Sequence, residues 1–120
     1  MIIVSDTSPL NYLVLIGHIE ILEKLFARVI IPQAVFDEMR HTKTPREVKA
    51  WVDSAPAWLE VRQAGRSRFA PGKKIGDGER EAIALAKELS ADAILIDDRD
   101  GAAEARKNGL TVIGTLTILI

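Results

Sequence analysis

The stretch AILIDDRDG, residues 93–101, joins an apolar run directly to a cluster of acids. The run at residues 93–96 has the length and composition of a buried β-strand. Three acids follow at once, Asp97, Asp98 and Asp100, with only Arg99 among them to balance their charge. Because parallel α/β sheets bind ligands outside the carboxyl ends of their strands, the stretch predicts a parallel sheet with a functional site at that edge.

Further strand-like runs alternate with helical patterns along the chain. The runs are MIIVS (1–5), RVIIP (28–32), WLEVR (58–62) and LTVIG (110–114). The helical patterns cover residues 8–26, with a break at Gly17, and residues 31–40, 44–54, 76–91 and 99–109. This alternation predicts an α/β fold in which helices cover a central parallel sheet of about five strands.

The composition is that of one globular domain. The chain has 120 residues, 48% hydrophobic and 28% charged, and we expect residues 1–120 to form a single domain because no linker or repeat divides them. The net charge of −1 provides no basic character overall, so any nucleic-acid binding requires a local patch. The chain has no cysteine, which excludes disulfides and thiolate sites and is compatible with a reducing cytosol.

The apolar amino-terminal segment does not have the pattern of a targeting sequence. It lacks a basic region and carries Asp6, Pro9 and Asn11. We therefore expect neither a signal peptide nor a membrane span, and a cytoplasmic location.

Two groups of acids end strands at the same edge of the predicted sheet. Asp6 ends the first strand, and Asp97 and Asp98 end a later one. Right-handed crossovers place both strand ends on one side. Asp6 has a second interpretation as a helix cap, a role that Thr7 or Ser8 could fill equally well. We expect Asp100 to cap the last predicted helix.

Helical spacing selects two further acids. At ~100° per residue Glu38 lies on the apolar side of its helix, and we expect it to face inward, where an unpaired carboxylate is costly. Glu79 lies about 50° from the centre of the apolar stripe of its helix, and Glu81 more than 100° away. Glu81 is explained by its favourable interaction with the helix dipole, and Asp77 by capping.

Several inward carboxylates would repel one another unless a divalent cation lay between them. An all-oxygen donor set favours Mg²⁺ or Mn²⁺. The two histidines, His18 and His41, lack metal-binding spacing, which argues against zinc.

Five motifs in this order resemble the PIN domain family, and most closely its small VapC-like toxin branch. They are SDTSPLNYL (5–13), IPQAVFDEM (31–39), GDGEREAIALA (76–86), ILIDDRDG (94–101) and GLTVIGTL (109–116). The resemblance implies a three-layer α/β/α PIN-like fold and a Mg²⁺- or Mn²⁺-dependent endoribonuclease that uses a quartet of acids.

The family pattern can be carried over residue by residue. The catalytic acids would be Asp6, Glu38, Glu79 and Asp98, which would also hold the metal. Asp97 is a rival to Asp98 as a metal ligand, and Glu81 is a less favoured addition to Glu79. Ser8 resembles the hydroxyl beside the first acid, and Asn11 the small polar residue one turn later.

Basic residues would have to hold the RNA, since acids cannot bind phosphates directly. The segment 61–76 contains no acid and is interrupted by glycine and proline, which predicts a mobile loop. Its RNA-binding candidates are Arg62, Arg66, Arg68, Lys73 and Lys74. The alternative is an ordinary solvated surface segment.

The resemblance also implies partners, namely RNA, an antitoxin protein and a second copy of the chain in a homodimer. The last residues, LTILI (116–120), are apolar where related proteins continue into a further helix. We expect them to be uncovered, either because a dimer partner packs there or because the domain is trimmed.

Two alternative functions stay open. A PIN scaffold could bind RNA or protein without cleaving it. A Mg²⁺-dependent phosphatase of the haloacid-dehalogenase type would also place aspartates at strand ends, but it needs an Asp-x-Asp pair, and Ser8 occupies the place of the second acid.

Overall fold

A computed structural model describes residues 1–65 and 75–120. The strands are Ile2–Ser5 (β1), Arg28–Pro32 (β2), Leu59–Arg62 (β3), Ala93–Leu95 (β4) and Val112–Ile113 (β5). The helices are Thr7–Leu15 (α1), Ile21–Leu25 (α2), Gln33–Met39 (α3), Arg46–Asp53 (α4), Asp77–Leu89 (α5), Arg99–Lys107 (α6) and Thr115–Leu119 (α7).

The sheet has five strands in the order β3-β2-β1-β4-β5, and all of its pairs are parallel. This confirms the predicted parallel α/β fold. Each strand lies within the run of residues that predicted it, although β4 and β5 are shorter than their runs. The middle strand β1 carries Val4, which pairs with Ile30 on one side and Ile94 on the other.

Two separate cores lie on the two faces of the sheet. Successive residues of a strand point to opposite faces, so Ile3 belongs to one core and Val4 to the other. The first core contains buried residues of α1, α2, α3, α4 and α7, and the second contains residues of α5 and α6. The fold is therefore a three-layer α/β/α sandwich.

Two glycines end helices as the sequence predicts. Gly17 follows α1 with φ 75°, and Gly109 follows α6 with φ 79°. Both lie in the left-handed region, which only glycine adopts without strain. Within the described ranges, no helix is both long and apolar enough to cross a membrane.

The carboxyl-terminal segment differs from its prediction. It forms the short helix α7, in which Ile118 is 9% exposed and Leu119 packs against the first core. Only Leu116 and Ile120 are strongly exposed there, at 74% and 100%. The expectation of an uncovered apolar terminus is thus wrong for half of these side chains, because they pack against the core of their own chain.

The chain changes direction at β1, and the carboxyl edge of the sheet there is the topological switch point. The connection from β1 leads to β2 on one side, while β4 lies on the other side. The backbone N–H of Asp6 donates to the carbonyl of Leu95 at 2.9 Å, which ties the ends of β1 and β4 together. The first residues after these strands are consequently neighbours.

Candidate active site

Asp6 is the buried centre of the group of acids at this edge. It precedes α1 in the N-cap position, but its side chain makes no capping hydrogen bond, and the residue is 4% exposed. Burial raises the pKa of its carboxyl from 3.8 to about 7, the Thr7 backbone N–H opposes the shift, and the charges of Glu79, Glu38 and Asp98 add to it. The capping interpretation of Asp6 is therefore wrong, because its carboxyl faces other acids.

Glu38 reaches the same place from the last turn of α3. Its Oε2 accepts a 2.7 Å hydrogen bond from the Thr7 hydroxyl, and its Oε1 accepts one of 3.1 Å from the Gly78 N–H. The residue as a whole is exposed, so the expected desolvation of an inward carboxylate does not apply to it. These two donors hold the carboxylate in a fixed position near Asp6.

Gly78 permits this arrangement because it has no side chain. A Cβ at position 78 would lie 2.5 Å from Glu38 Oε1, closer than carbon and oxygen atoms approach without displacement. Neither Thr7 nor Gly78 is among the site residues predicted from the sequence. The signals were present in the motifs DTS and GDGE.

Glu79 enters from the first turn of α5. Its Oε1 accepts from the Gly76 N–H at 3.0 Å, while its Oε2 is buried and has no hydrogen-bond donor among the described residues. Burial raises the pKa of Glu79, the Gly76 N–H opposes this, and the Asp98 carboxyl within hydrogen-bonding reach raises it further. Two carboxyls this close need a shared proton or a cation.

Asp98 both caps α6 and lines the site. Its Oδ2 accepts from the Gly101 N–H at 2.9 Å, so Asp98 is the cap that the sequence assigned to Asp100. A Cβ at Gly101 would lie 2.5 Å from Glu79 Oε2. Glycine at that position therefore lets the first turn of α6 approach Glu79 closely.

Asp97 is bound to a different partner. Its Oδ1 accepts from the Thr115 N–H at 2.7 Å, and its Oδ2 accepts from the Thr115 hydroxyl at 2.5 Å. These bonds attach the end of β4 to the start of α7. The structure therefore separates Asp97 from Asp98, which are neighbours in sequence but bind different elements.

The remaining candidates divide between the cavity and its surroundings. Ser8 is exposed and lines the cavity. Asn11 lies in a neighbouring cleft, and its Oδ1 is buried without a hydrogen-bond donor among the described residues. Glu81 is partly buried, outside both. Asp77 is not the cap of α5, because Gly76 occupies that position.

The acids surround one cavity of about 180 Å³. Its lining consists of Asp6, Thr7, Ser8, Glu38, Gly76, Gly78, Glu79 and Asp98. All four members of the predicted quartet are thus brought together by four different elements of the fold. A larger cavity of about 770 Å³, which includes Trp51 and Trp58, contains none of these acids.

The metal-binding geometry is not preformed. In the part of the chain that the structure describes, no three His, Cys, Asp or Glu side chains form a group ready to hold a metal ion. Backbone and hydroxyl donors hold oxygens of Glu38, Glu79 and Asp98 individually. The donor chemistry nevertheless fits Mg²⁺ or Mn²⁺, because the donors are oxygens, Glu79 Oε2 lacks a donor, and like charges raise the pKa of Asp6.

Most of the basic segment cannot be compared with its prediction. Arg66, Arg68, Lys73 and Lys74 lie outside the described residues. Arg62 ends β3, where its guanidinium pairs with Glu60 at 3.1 Å. Arg28 pairs with the same carboxylate at 2.7 Å, so two guanidinium groups share one negative charge and a net positive charge is left beside β3.

Comparison with known proteins agrees with this fold. A search of curated proteins gave no match. The chain is similar to the solved structure of a PilT N-terminus domain protein from the hyperthermophilic archaeon Sulfolobus solfataricus, with a TM-score of 0.64 and 22% identity over 99% of this chain and 91% of that one. The sequence profile of the DUF3368 family, described as a PIN domain, matches residues 2–120. This chain therefore belongs to the PIN domain family.

Proposed function

We propose that this PIN domain is a metal-dependent endoribonuclease that hydrolyses phosphodiester bonds of RNA with Mg²⁺ or Mn²⁺. PIN domains are generally nucleases, which supports a hydrolase activity of this kind. The observation that carries the proposal is the buried Asp6 carboxyl, whose pKa is raised to about 7 by burial and by the charges of Glu79, Glu38 and Asp98. A protein does not gain stability by gathering such charges, so a ligand that interacts with them is the physical reason for the arrangement.

Asp6, Glu38, Glu79 and Asp98 would hold the metal. When bound, a divalent cation supplies a more acidic water and offsets negative charge on phosphate oxygens. The pKa of the Asp6 carboxyl is about 7 without a cation. A bound cation would lower that pKa and so favour the ionised carboxylate. Glu79 would contribute the oxygen that has no donor, and the Thr7 hydroxyl would orient Glu38.

Asp97 and Glu81 stay weaker metal-ligand candidates. Both oxygens of Asp97 already accept from Thr115, and Glu81 does not line the cavity. Ser8 lines the cavity and can donate its hydroxyl to a substrate oxygen. These contacts support a metal site built from Asp6, Glu38, Glu79 and Asp98.

We also propose that the protein is the toxin of a toxin–antitoxin pair, that it belongs to the VapC-like branch, and that it is cytoplasmic. These proposals rest on the motif resemblance. An antitoxin protein or a second copy of the chain would bind most readily to an exposed apolar surface. Exposed apolar side chains are available on α1 and at the end of the chain, namely Tyr12, Leu15, Leu116 and Ile120. A small reading frame beside the gene would support the antitoxin, and sedimentation of the purified protein would measure dimerisation.

The non-catalytic alternative predicts RNA or protein binding without turnover. The cavity that includes Trp51 and Trp58 is the feature most favourable to it, because half-buried aromatic rings suit recognition of a partner. Membership of the PIN family argues against the phosphatase alternative.

Cleavage of structured RNAs tests the proposal. The wild type should release product with Mn²⁺ or Mg²⁺ and none with chelator, whereas Asp6→Asn and Asp98→Asn should lose at least about a hundredfold in rate, as expected when a charged contact to the metal is removed. Asp37→Asn is the matched control, because Asp37 is an exposed acid of the same helix as Glu38, does not line the cavity, and accepts a hydrogen bond from the Gln33 side chain. Equal product from the wild type, Asp6→Asn and Asp98→Asn would contradict the proposal, and binding of RNA without metal-dependent product would favour the scaffold.

A further inference from the structure

A second cleft adjoins the acid-lined cavity. Its volume is about 340 Å³, and it is lined by Thr7, Asn11, Glu38, His41, Lys43, Thr44 and Pro45. Thr7 and Glu38 line both spaces, so a ligand in the cavity can continue directly into the cleft. A chain molecule such as a nucleic acid strand would use both.

The far wall of the cleft is a compact turn fixed to the helix that carries Glu38. The carbonyl of Glu38 accepts from the His41 N–H at 3.2 Å and from the Thr44 hydroxyl at 2.7 Å. The Thr44 N–H donates to the carbonyl of His41 at 2.9 Å. These hydrogen bonds therefore fix the position of the turn relative to Glu38 and the acid-lined cavity.

Hydrogen bonding within the turn sets the tautomer of His41. Its Nδ1 accepts a 3.1 Å hydrogen bond from the Lys43 N–H, so that nitrogen cannot carry a proton. A neutral His41 must then carry its proton on Nε2 and present an N–H donor. The imidazole is exposed, which leaves this donor accessible.

Lys43 supplies positive charge at the same wall. Its side chain is exposed, and its ammonium makes no ion pair with any residue in ranges 1–65 and 75–120. The neighbouring acids disfavour an approaching phosphate, and a cation beside them reduces that repulsion. A free ammonium and an N–H donor together match the oxygens of a phosphodiester.

We propose that this cleft binds the RNA backbone next to the phosphodiester that is cleaved, with Lys43 and the Nε2–H of His41 donating to one phosphate. Asn11 lines the same cleft and adds a polar side chain to its wall. This inference rests on the proposed nuclease function. It assigns the positioning of substrate to residues 41 and 43, separately from the basic segment around residues 62–74.

Binding of a labelled RNA in the Asp6→Asn background tests the cleft without turnover. The probe is a fluorescein-labelled single strand of about 12 nucleotides, a length within the usual range of single-strand sites. Anisotropy titrations between about 50 and 200 mM salt give the Kd and its salt dependence. Lys43→Gln should raise the Kd about tenfold at low salt and reduce the magnitude of the salt slope by about 0.7, as expected for one lost phosphate contact.

Two further variants separate local effects from general ones. His41→Asn keeps an acceptor near the position of Nδ1 but removes Nε2, and it should raise the Kd about threefold, a typical loss for one neutral hydrogen bond. Lys107→Gln removes another exposed lysine, in the last turn of α6 and outside the cleft and both cavities, and it should leave Kd and slope unchanged. In cleavage by otherwise wild-type protein, Lys43→Gln should raise KM more than it lowers kcat.

The results distinguish this inference from the proposed function. If Lys43→Gln behaves like Lys107→Gln in both Kd and salt slope, the cleft is not the RNA subsite, even when the wild type cleaves RNA with Mn²⁺. Absence of RNA binding by the Asp6→Asn parent also overturns it. If the Lys43 and His41 effects are found but the wild type releases no product, the cleft is supported and the nuclease proposal fails.

Discussion

The Thr7 hydroxyl donates a 2.7 Å hydrogen bond to Glu38 Oε2, although 31 residues separate the two in sequence. This bond joins the start of α1 to the end of α3, directly beside Asp6. Because the Gly78 N–H holds the other oxygen, Glu38 has a defined orientation before any ligand binds. Hydrogen bonds from the Thr7 hydroxyl and the Gly78 N–H thus fix the orientation of the Glu38 carboxylate.

Thr7→Val should lower kcat/KM for RNA about tenfold, because a hydrogen bond to a charged group contributes about 1.5 kcal/mol or more and valine keeps the shape without the donor. Thr7→Ser keeps the hydroxyl and should retain most of the activity. Steady-state cleavage with Mn²⁺ measures both. A fully active Thr7→Val protein would show that the orientation of Glu38 is unimportant.

Gly78→Ala should reduce Mn²⁺ affinity and cleavage at least about tenfold, the effect expected when ligands or their supporting groups move. The new Cβ would lie 2.5 Å from Glu38 Oε1, so the carboxylate must shift. Gly114→Ala is the matched control, since its Cβ would approach Asp97 Oδ1 only to 3.3 Å and lies outside the cavity. Calorimetric titration with Mn²⁺ measures the affinity, and similar losses in both variants would contradict the argument.

The sequence was most informative about the order of strands and helices and about which face of a helix a residue lies on. Alternating strand and helix patterns predicted the parallel sheet, and helical spacing correctly brought Glu38 and Glu79 to the cavity. Roles that depend on contacts between distant segments were harder to predict from the sequence. The bonding of Asp97 to Thr115 does not follow from local pattern, since it depends on where α7 packs. The cap of α6 is a local hydrogen bond from Gly101 to Asp98, but Asp98 and Asp100 lie so close together that the pattern alone did not choose correctly between them.

The terminal helix shows the same limit. Residues 116–120 are apolar apart from Thr117, and without periodicity they suggest an uncovered end. In the fold, Ile118 is buried while Leu116 stays exposed, because α7 turns one side towards the first core. Only the packing of β5 and α7 determines which apolar residues remain for a partner.

Asp6→Asn should be more stable than the wild type at alkaline pH in the absence of metal. The folded protein holds the Asp6 proton up to a pKa of about 7, whereas the ordinary pKa of an aspartate is 3.8, so the unfolded chain binds fewer protons between these values. Stability of the wild type consequently falls as pH rises from about 4 to 7, by at most about 4 kcal/mol from this group. Asparagine removes this dependence.

Urea unfolding at pH 8 should show Asp6→Asn to be more stable by about 1–3 kcal/mol, a part of that upper limit, and the difference should disappear towards pH 4. Saturating Mn²⁺ should narrow the gap at pH 8, because a ligand of the folded state stabilises the wild type. Equal stability of both proteins at pH 8 would show that Asp6 is not ionised against neighbouring charges.

Asp97→Ala and Asp98→Ala should fail in different ways. Both carboxylate oxygens of Asp97 accept hydrogen bonds from Thr115. Loss of the Asp97 side chain should therefore lower the free energy of unfolding by about 1–3 kcal/mol, while Mn²⁺ affinity changes little. Asp98 lines the cavity, and its loss should abolish Mn²⁺ binding. The free energy of unfolding should fall by only about 1 kcal/mol, the contribution of the cap that Asp98 provides at Gly101. Calorimetry and thermal unfolding of both variants separate the effects. Loss of Mn²⁺ binding in a folded Asp97→Ala protein would make Asp97 a ligand after all, and would require its carboxylate to leave Thr115 when the metal binds.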